Sequence, residues 1–278
     1  MKKLSFIFII LAACISLYSP PSVIAASVDP SHYASRVISY TPGSNAVSGY
    51  TNPGSALGEP ARNIDEWGTN TDVTMFYPAW KPDQLVSIGA GGELILGFNK
   101  RIMNNPDNPY GVDFIIFGNA FFTNSSGKAG GIFAEPATIS ISQDGTTWYD
   151  ISSVTADNLF PTQGYTDSSG TYVHDGSVPA DFLKPVDPSI KWKNKTYTEL
   201  LGLYKGSGGG TGVDMDETGL DWIQYIKLWQ AEDDDWSAEI DAVSAISVAD
   251  PASVPVPGTI WLLGLGTAAV FAIKRKKM

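Results

Sequence analysis

Residues 137–151 read ATISISQDGTTWYDI. Through Ala137-Thr138-Ile139-Ser140-Ile141-Ser142 the apolar and small polar side chains alternate. That period of two puts successive side chains on opposite faces of a strand. Asp144-Gly145 supplies turn chemistry, and Trp148-Tyr149-Asp150-Ile151 brings the chain back. The stretch predicts a β-hairpin with one face on a core.

Outward from this hairpin the same grammar recurs. Arg36-Val37-Ile38-Ser39-Tyr40 reads as a strand stopped by Thr41-Pro42-Gly43, and residues 41–70 are rich in Pro, Gly, Asn and Ser and read as loop. Leu85-Val86-Ser87-Ile88 and Glu93-Leu94-Ile95-Leu96-Gly97-Phe98 flank Gly89-Ala90-Gly91-Gly92, which predicts a second hairpin. Val112 to Phe117 is apolar except for Asp113 and reads as a central strand. From 153 to 212 the pattern weakens, with one short helix expected at Tyr197–Leu203. Ser207-Gly208-Gly209-Gly210-Thr211-Gly212 lacks the Gly-Lys-Ser/Thr ending of a phosphate loop and reads as a flexible turn. Strands resume at Tyr225–Trp229 and Ala238–Ile246. Roughly eight short strands with long loops predict an all-β fold, a jelly-roll-like two-sheet sandwich.

Charge narrows the function. The 278 residues carry a formal net charge of −11, and six of the cations sit in the two end segments, so the body between them stands at −17. Such a surface repels nucleic acid and anionic lipid and attracts cations. The one cysteine, Cys14, lies near the start, which leaves the body without a disulfide, a thiol nucleophile or a cysteine-held zinc.

Both ends read as targeting segments. Lys2 and Lys3, an apolar run and the small-residue site Val23-Ile24-Ala25 have the order of a secretory signal peptide over residues 1–26. Leu11-Ala12-Ala13-Cys14 offers the alternative of a lipidated cysteine. Residues 27–250 form the exported body, and Pro251 to Pro257 a stiff linker. Gly258–Ile273 is free of charge and about 24 Å long as a helix, a short transmembrane span against a hydrocarbon core of about 30 Å. The basic residues of 274–278 then mark its cytoplasmic side.

Val254-Pro255-Val256-Pro257, the apolar run with Trp261-Leu262-Leu263-Gly264, and Lys274–Lys277 together resemble the PEP-CTERM sorting tail, with Val256 where Glu is common. The resemblance implies handling by an exosortase-type enzyme in a bacterium that makes exopolysaccharide. The body resembles a family of uncharacterised bacterial cell-surface proteins through Asp113-Phe114-Ile115-Ile116-Phe117-Gly118-Asn119-Ala120-Phe121, Ser140–Gly145 and Ile240-Asp241-Ala242-Val243. Its strand, Asp-Gly, Trp, strand hairpin is similar to that of galactose-binding sandwiches.

Two chemistries fit this composition. Calcium takes oxygen ligands from carboxylates and carbonyls in irregular loops. Asp241, flanked by apolar residues near a strand start, is the leading candidate ligand, with Asp113, Glu135 and Asp214 as companions. Asp214-Met215-Asp216-Glu217-Thr218-Gly219 opens like an EF-hand loop but has Tyr225 at position 12. Glu232–Asp235 reads as a solvated loop. The second chemistry is sugar stacking on loop aromatics: Trp67, Trp80, Trp192 and Trp236 are the candidates, with exopolysaccharide as the partner. His32 and His174 are the only histidines, and no Gly-x-Ser-x-Gly accompanies them. The expected role is therefore structural, adhesive or glycan-binding, not enzymatic.

Overall fold

The 137–151 hairpin forms with Ile151 opposite Ile139, Asp150 opposite Ser140 and Tyr149 opposite Ile141. In this computed structural model, residues 29–66 and 69–251 are described. Asp144 ties the hairpin loop by accepting the N–H groups of Thr146 and Thr147, each at 2.8 Å. Gly145 takes the left-handed conformation there, at φ +75°.

In chain order the strands are β1 (Arg36–Thr41), β2 (Asn63–Glu66), β3 (Thr69–Asp72), β4 (Val86–Ser87), β5 (Glu93–Met103), β6 (Phe114–Gly118), β7 (Phe121–Ser125), β8 (Lys128–Phe133), β9 (Ala137–Ser142), β10 (Tyr149–Ala156), β11 (Thr211–Val213), β12 (Trp222–Trp229), β13 (Glu239–Ala245) and β14 (Val248–Ala249). A single α-helix among the described residues, α1 (Tyr197–Tyr204), precedes β11. The larger sheet runs β1-β5-β12-β9-β10, with β14 also on β5; the smaller runs β11-β6-β13-β4; β2-β3 and β7-β8 are separate hairpins. The fold is thus mostly β, as expected of a sandwich.

The two main sheets enclose one core. Leu94, Leu96 and Phe98 of β5, Ile139 and Ile141 of β9, and Ile226 and Leu228 of β12 meet Phe114 and Ile116 of β6 and Ile240 and Val243 of β13. The other face of β6 is covered too: Ile115 and Phe117 pack with Tyr33, Phe182 and Ala242. Burial on both faces explains why this strand reads as a continuous apolar run instead of an alternating one.

Three expectations need correction. The stretch 41–70 is not all loop: β2 lies within it and pairs with β3, Asn63 opposite Asp72. The second hairpin does not form. β4 pairs with β13 in the smaller sheet, and β5 lies in the larger. The glycines between them instead let the chain change sheets. A Cβ on Gly92 would strike the Ile88 carbonyl, and the Gly43 N–H donates to that carbonyl at 2.8 Å. Nor is Ser207–Gly212 a flexible turn. All of it but Gly212 is buried, and Gly210 exchanges two backbone hydrogen bonds with Phe160. The excursion from 157 to 210 is a packed layer. Phe160, Val186, Leu200 and Tyr204 form a second core with Met75, Phe76 and Phe122. Helix α1 forms within it, started by a capping box in which Thr196 and Glu199 satisfy each other's backbone N–H.

The body's ends converge. Lys100 lies 3.8 Å from Asp29 Oδ2 and 3.8 Å from Asp250 Oδ1. Among the described residues no helix is long and apolar enough to cross a membrane. The signal segment 1–26, Cys14, the linker beyond 251, Val254, Pro255, Val256, Pro257, the 258–273 span and the 274–278 cluster lie outside the described residues.

Candidate functional site

The loop from 73 to 85 folds over a small apolar plug of Ile64, Val73, Ala79 and Leu85, against which Tyr50 and Tyr77 rest. This plug holds a group of rings at the surface. Tyr77 and Tyr172 meet with centroids 4.5 Å apart and planes tilted by 56°. The Trp80 indole N–H donates to Tyr77 Oη at 3.2 Å, and Tyr50 Oη donates to the Trp80 carbonyl at 2.5 Å. Tyr172 is 71% exposed and Trp80 36% exposed. Tyr172 sits at φ +62°, a conformation uncommon for a non-glycine residue, and in it the ring reaches Tyr77. Lys81 Nζ stands 5.3 Å from the Trp80 ring centre.

Polar groups cluster on the β2–β3 hairpin, next in sequence to the plug residues Ile64 and Val73. Asn63 Oδ1 accepts from Tyr165 Oη at 2.6 Å. Asp72, fully buried, lies 3.2 Å from His174 Nδ1 and accepts the Gly176 N–H at 2.9 Å. The exposed Tyr172 and Trp80 rings offer apolar faces, set at angles instead of in one plane, on which the C–H face of a pyranose can stack.

The three described candidate tryptophans do not converge. Trp80 belongs to the ring cluster. Trp67 lies outside the described residues. Trp192 is an internal anchor, stacked on Phe122 at 4.9 Å and 24°. Trp236 is exposed but pinned by its N–H to the Pro136 carbonyl at 2.9 Å. Tyr50 and Tyr172 were not singled out by the sequence reading. Tyr172 sits in a Ser/Gly-rich stretch, where only the fold brings it to Tyr77.

The four candidate calcium ligands do not gather in one place either. Asp241 occupies the irregularity in the β13–β6 register and is 2% exposed. The bulge turns its carboxyl onto the Ala61 N–H, at 2.9 and 3.2 Å from its two oxygens. Burial with so little compensation pushes its pKa up to about 8. Asp113 accepts from Asn105 N, Asn108 Nδ2 and Met215 N at 3.0 to 3.1 Å. Burial still raises it, and Asp214 adds like charge. Asp214 accepts the Asp216 N–H at 2.9 Å, which starts a short 3-10 turn at Asp216–Thr218. Asp113 and Asp214 therefore share one corner, where both brace loops.

Glu135 meets a different set. Its carboxyl lies close enough to that of Glu239, at the start of β13, to raise it by like charge. Asn119 Nδ2 donates to Glu239 Oε2 at 3.0 Å. Asp157, at φ +50° after β10, accepts the Ala120 N–H at 2.8 Å. Burial and the neighbouring acids raise Glu239 to about 8 and Asp157 to about 7. Gly118 makes this possible, because a Cβ there would strike the Asp157 carboxyl. Among the described residues no three His, Cys, Asp or Glu side chains stand as a ready metal centre.

Residues 253–276 match the family described as the PEP-CTERM protein-sorting motif. The tail is therefore the sorting signal that its Val-Pro-Val-Pro, apolar and basic segments resemble, and it marks the chain for export and surface sorting by an exosortase-type enzyme. No curated protein matches the chain.

Proposed function

We propose that this protein is a surface-displayed β-sandwich with a structural, adhesive and non-catalytic role. It binds exopolysaccharide through the Tyr50-Tyr77-Trp80-Tyr172 ring cluster and is stabilised by calcium. The observation that carries the glycan part is the ring cluster itself: four aromatic residues linked to one another over an apolar plug, with Tyr172 and Trp80 exposed. The body's negative charge supports the calcium part.

Binding is to be measured by glycan array and by affinity electrophoresis in neutral polysaccharides. Trp80→Ala and Tyr172→Ala are each expected to weaken a hit about tenfold, or about 1.4 kcal/mol. Trp192→Ala, changed inside the packed layer, tests the alternative platform. Binding indifferent to Trp80 and Tyr172 would remove the ring cluster as the site, and a blank array would leave the structural role alone.

The tail carries its own prediction. A C-terminal span before processing is part of the reading, with membrane retention as its consequence. Deleting residues 254–278 is expected to shift the protein from the envelope to the medium, read by fractionation. Full retention would point to lipidation at Cys14.

A further inference from the structure

Glu135, in the β8–β9 connection, stands near Glu239 at the start of β13. Once ionised, both carboxylates can only accept, as can the free oxygen of Asn119. Among the described residues no Lys, Arg or His pairs with Glu135, Asp157 or Glu239. Asn119 turns its Nδ2 to Glu239, and its Oδ1 is buried without a hydrogen-bond partner. Asp157 is 1% exposed, and its Oδ2 also lacks a partner. Buried polar atoms are satisfied in the great majority of cases, so an orphan marks a missing donor or ion. These two oxygens and the neighbouring Glu135 and Glu239 carboxyls are a setting in which one cation could supply the missing partner.

We propose that a divalent cation of the calcium type binds between Glu135 and Glu239, with Asn119 Oδ1 as a third ligand and Asp157 as the buried countercharge behind them. The donor set is all oxygen, without thiol or imidazole, which suits calcium over zinc or copper. Two carboxylates and an amide leave the remaining positions to water, as calcium's six to eight ligands allow. The ion would tie the β8–β9 connection to the β13 start and to the corner after β6. Because calcium stabilisation is part of the proposed function, this inference rests on that reading and locates it.

The test is calcium chloride added to the purified full chain after chelation, with melting followed by circular dichroism and stoichiometry by equilibrium dialysis. Saturation a hundredfold above Kd is expected to raise Tm by about 5–10 °C, with one ion bound per chain. Glu239→Gln and the more exposed Glu135→Gln keep the shape and remove charge, and each is expected to abolish both responses. If Glu239→Gln fails to fold, Glu135→Gln decides alone. A wild type that ignores calcium would show that the acid pair holds only a proton, and would end the calcium reading altogether. A response that survives both substitutions would overturn this site and leave calcium stabilisation standing.

Discussion

Gly209→Ala is expected to destabilise the protein by about 3–5 kcal/mol, lowering Tm by roughly 8–15 °C. Gly209 lies at φ +79°, a conformation that costs an L side chain about 1–2 kcal/mol. A Cβ there would also run into the Pro161 carbonyl and approach Thr162 Cα at 3.2 Å. Those are backbone atoms, so no rotamer change relieves the clash. On either side, Gly208 is pressed by the Phe182 ring and Gly210 by Ile115 and Phe117. The strip thus seals the outer layer onto the smaller sheet. Gly202, inside α1, has nothing within 4 Å of the site a Cβ would occupy. Gly202→Ala is accordingly expected to stabilise by about 0.5–1 kcal/mol. Thermal melts of the two variants separate crowding from helix propensity. Equal effects would show that the strip is not packed as described.

The second large effect is on pH. In chelator, stability is expected to fall as pH rises from 5 to 8. Asp241 and Glu239, pushed up to about 8, and Asp157, pushed up to about 7, stay protonated in the folded state over much of this range. In the unfolded chain the same carboxyls ionise near pH 4. The folded state therefore binds more protons, and the slope of stability against pH is negative. This contribution is complete below about pH 4 and is lost as pH climbs through the folded-state values. Each such group costs about 1.4 kcal/mol per pH unit crossed. Asp144 and Glu199, held low by backbone N–H donors, act in the opposite sense below about pH 4 but are fully exposed and weakly coupled to stability. Asp241→Asn stays neutral throughout and still accepts from Ala61. Urea titrations at pH 5 and pH 8 are expected to show a smaller difference for this variant. An unchanged difference would mean that Asp241 is ionised in the fold.

The sandwich was legible where side chains alternate against one core. Ile139 and Ile141 face inward, and their period survives translation into sheet packing. The length of Val112–Phe117 was legible, but not its second cover, because Phe182 arrives from a segment with no period of its own. The glycines at 89–92 and 207–212 carry two meanings in sequence, freedom and tight packing, and only neighbouring backbones decide between them. The site was legible in part for the same reason. Trp80 announces itself, whereas Tyr172 matters only because it reaches Tyr77, a hundred positions away in rough terms. Asp113, Asp214 and Asp241 have the chemistry of cation ligands, but backbone N–H groups claim them first, from distant loops for Asp113 and Asp241 and from Asp216, two residues on, for Asp214.

Lys100 holds Asp29 and Asp250 together, so entry to and exit from the body share one doorstep. A unit with adjacent ends can be spliced into a surface loop of another exported protein, or reopened elsewhere and rejoined there, with little distortion of either host or guest. Tethered from that point, it would also take tension first at the two-residue pairing of β14 on β5 instead of across its sheets. A domain built this way can lose its last strand under load with the β1-β5-β12-β9-β10 sheet still paired.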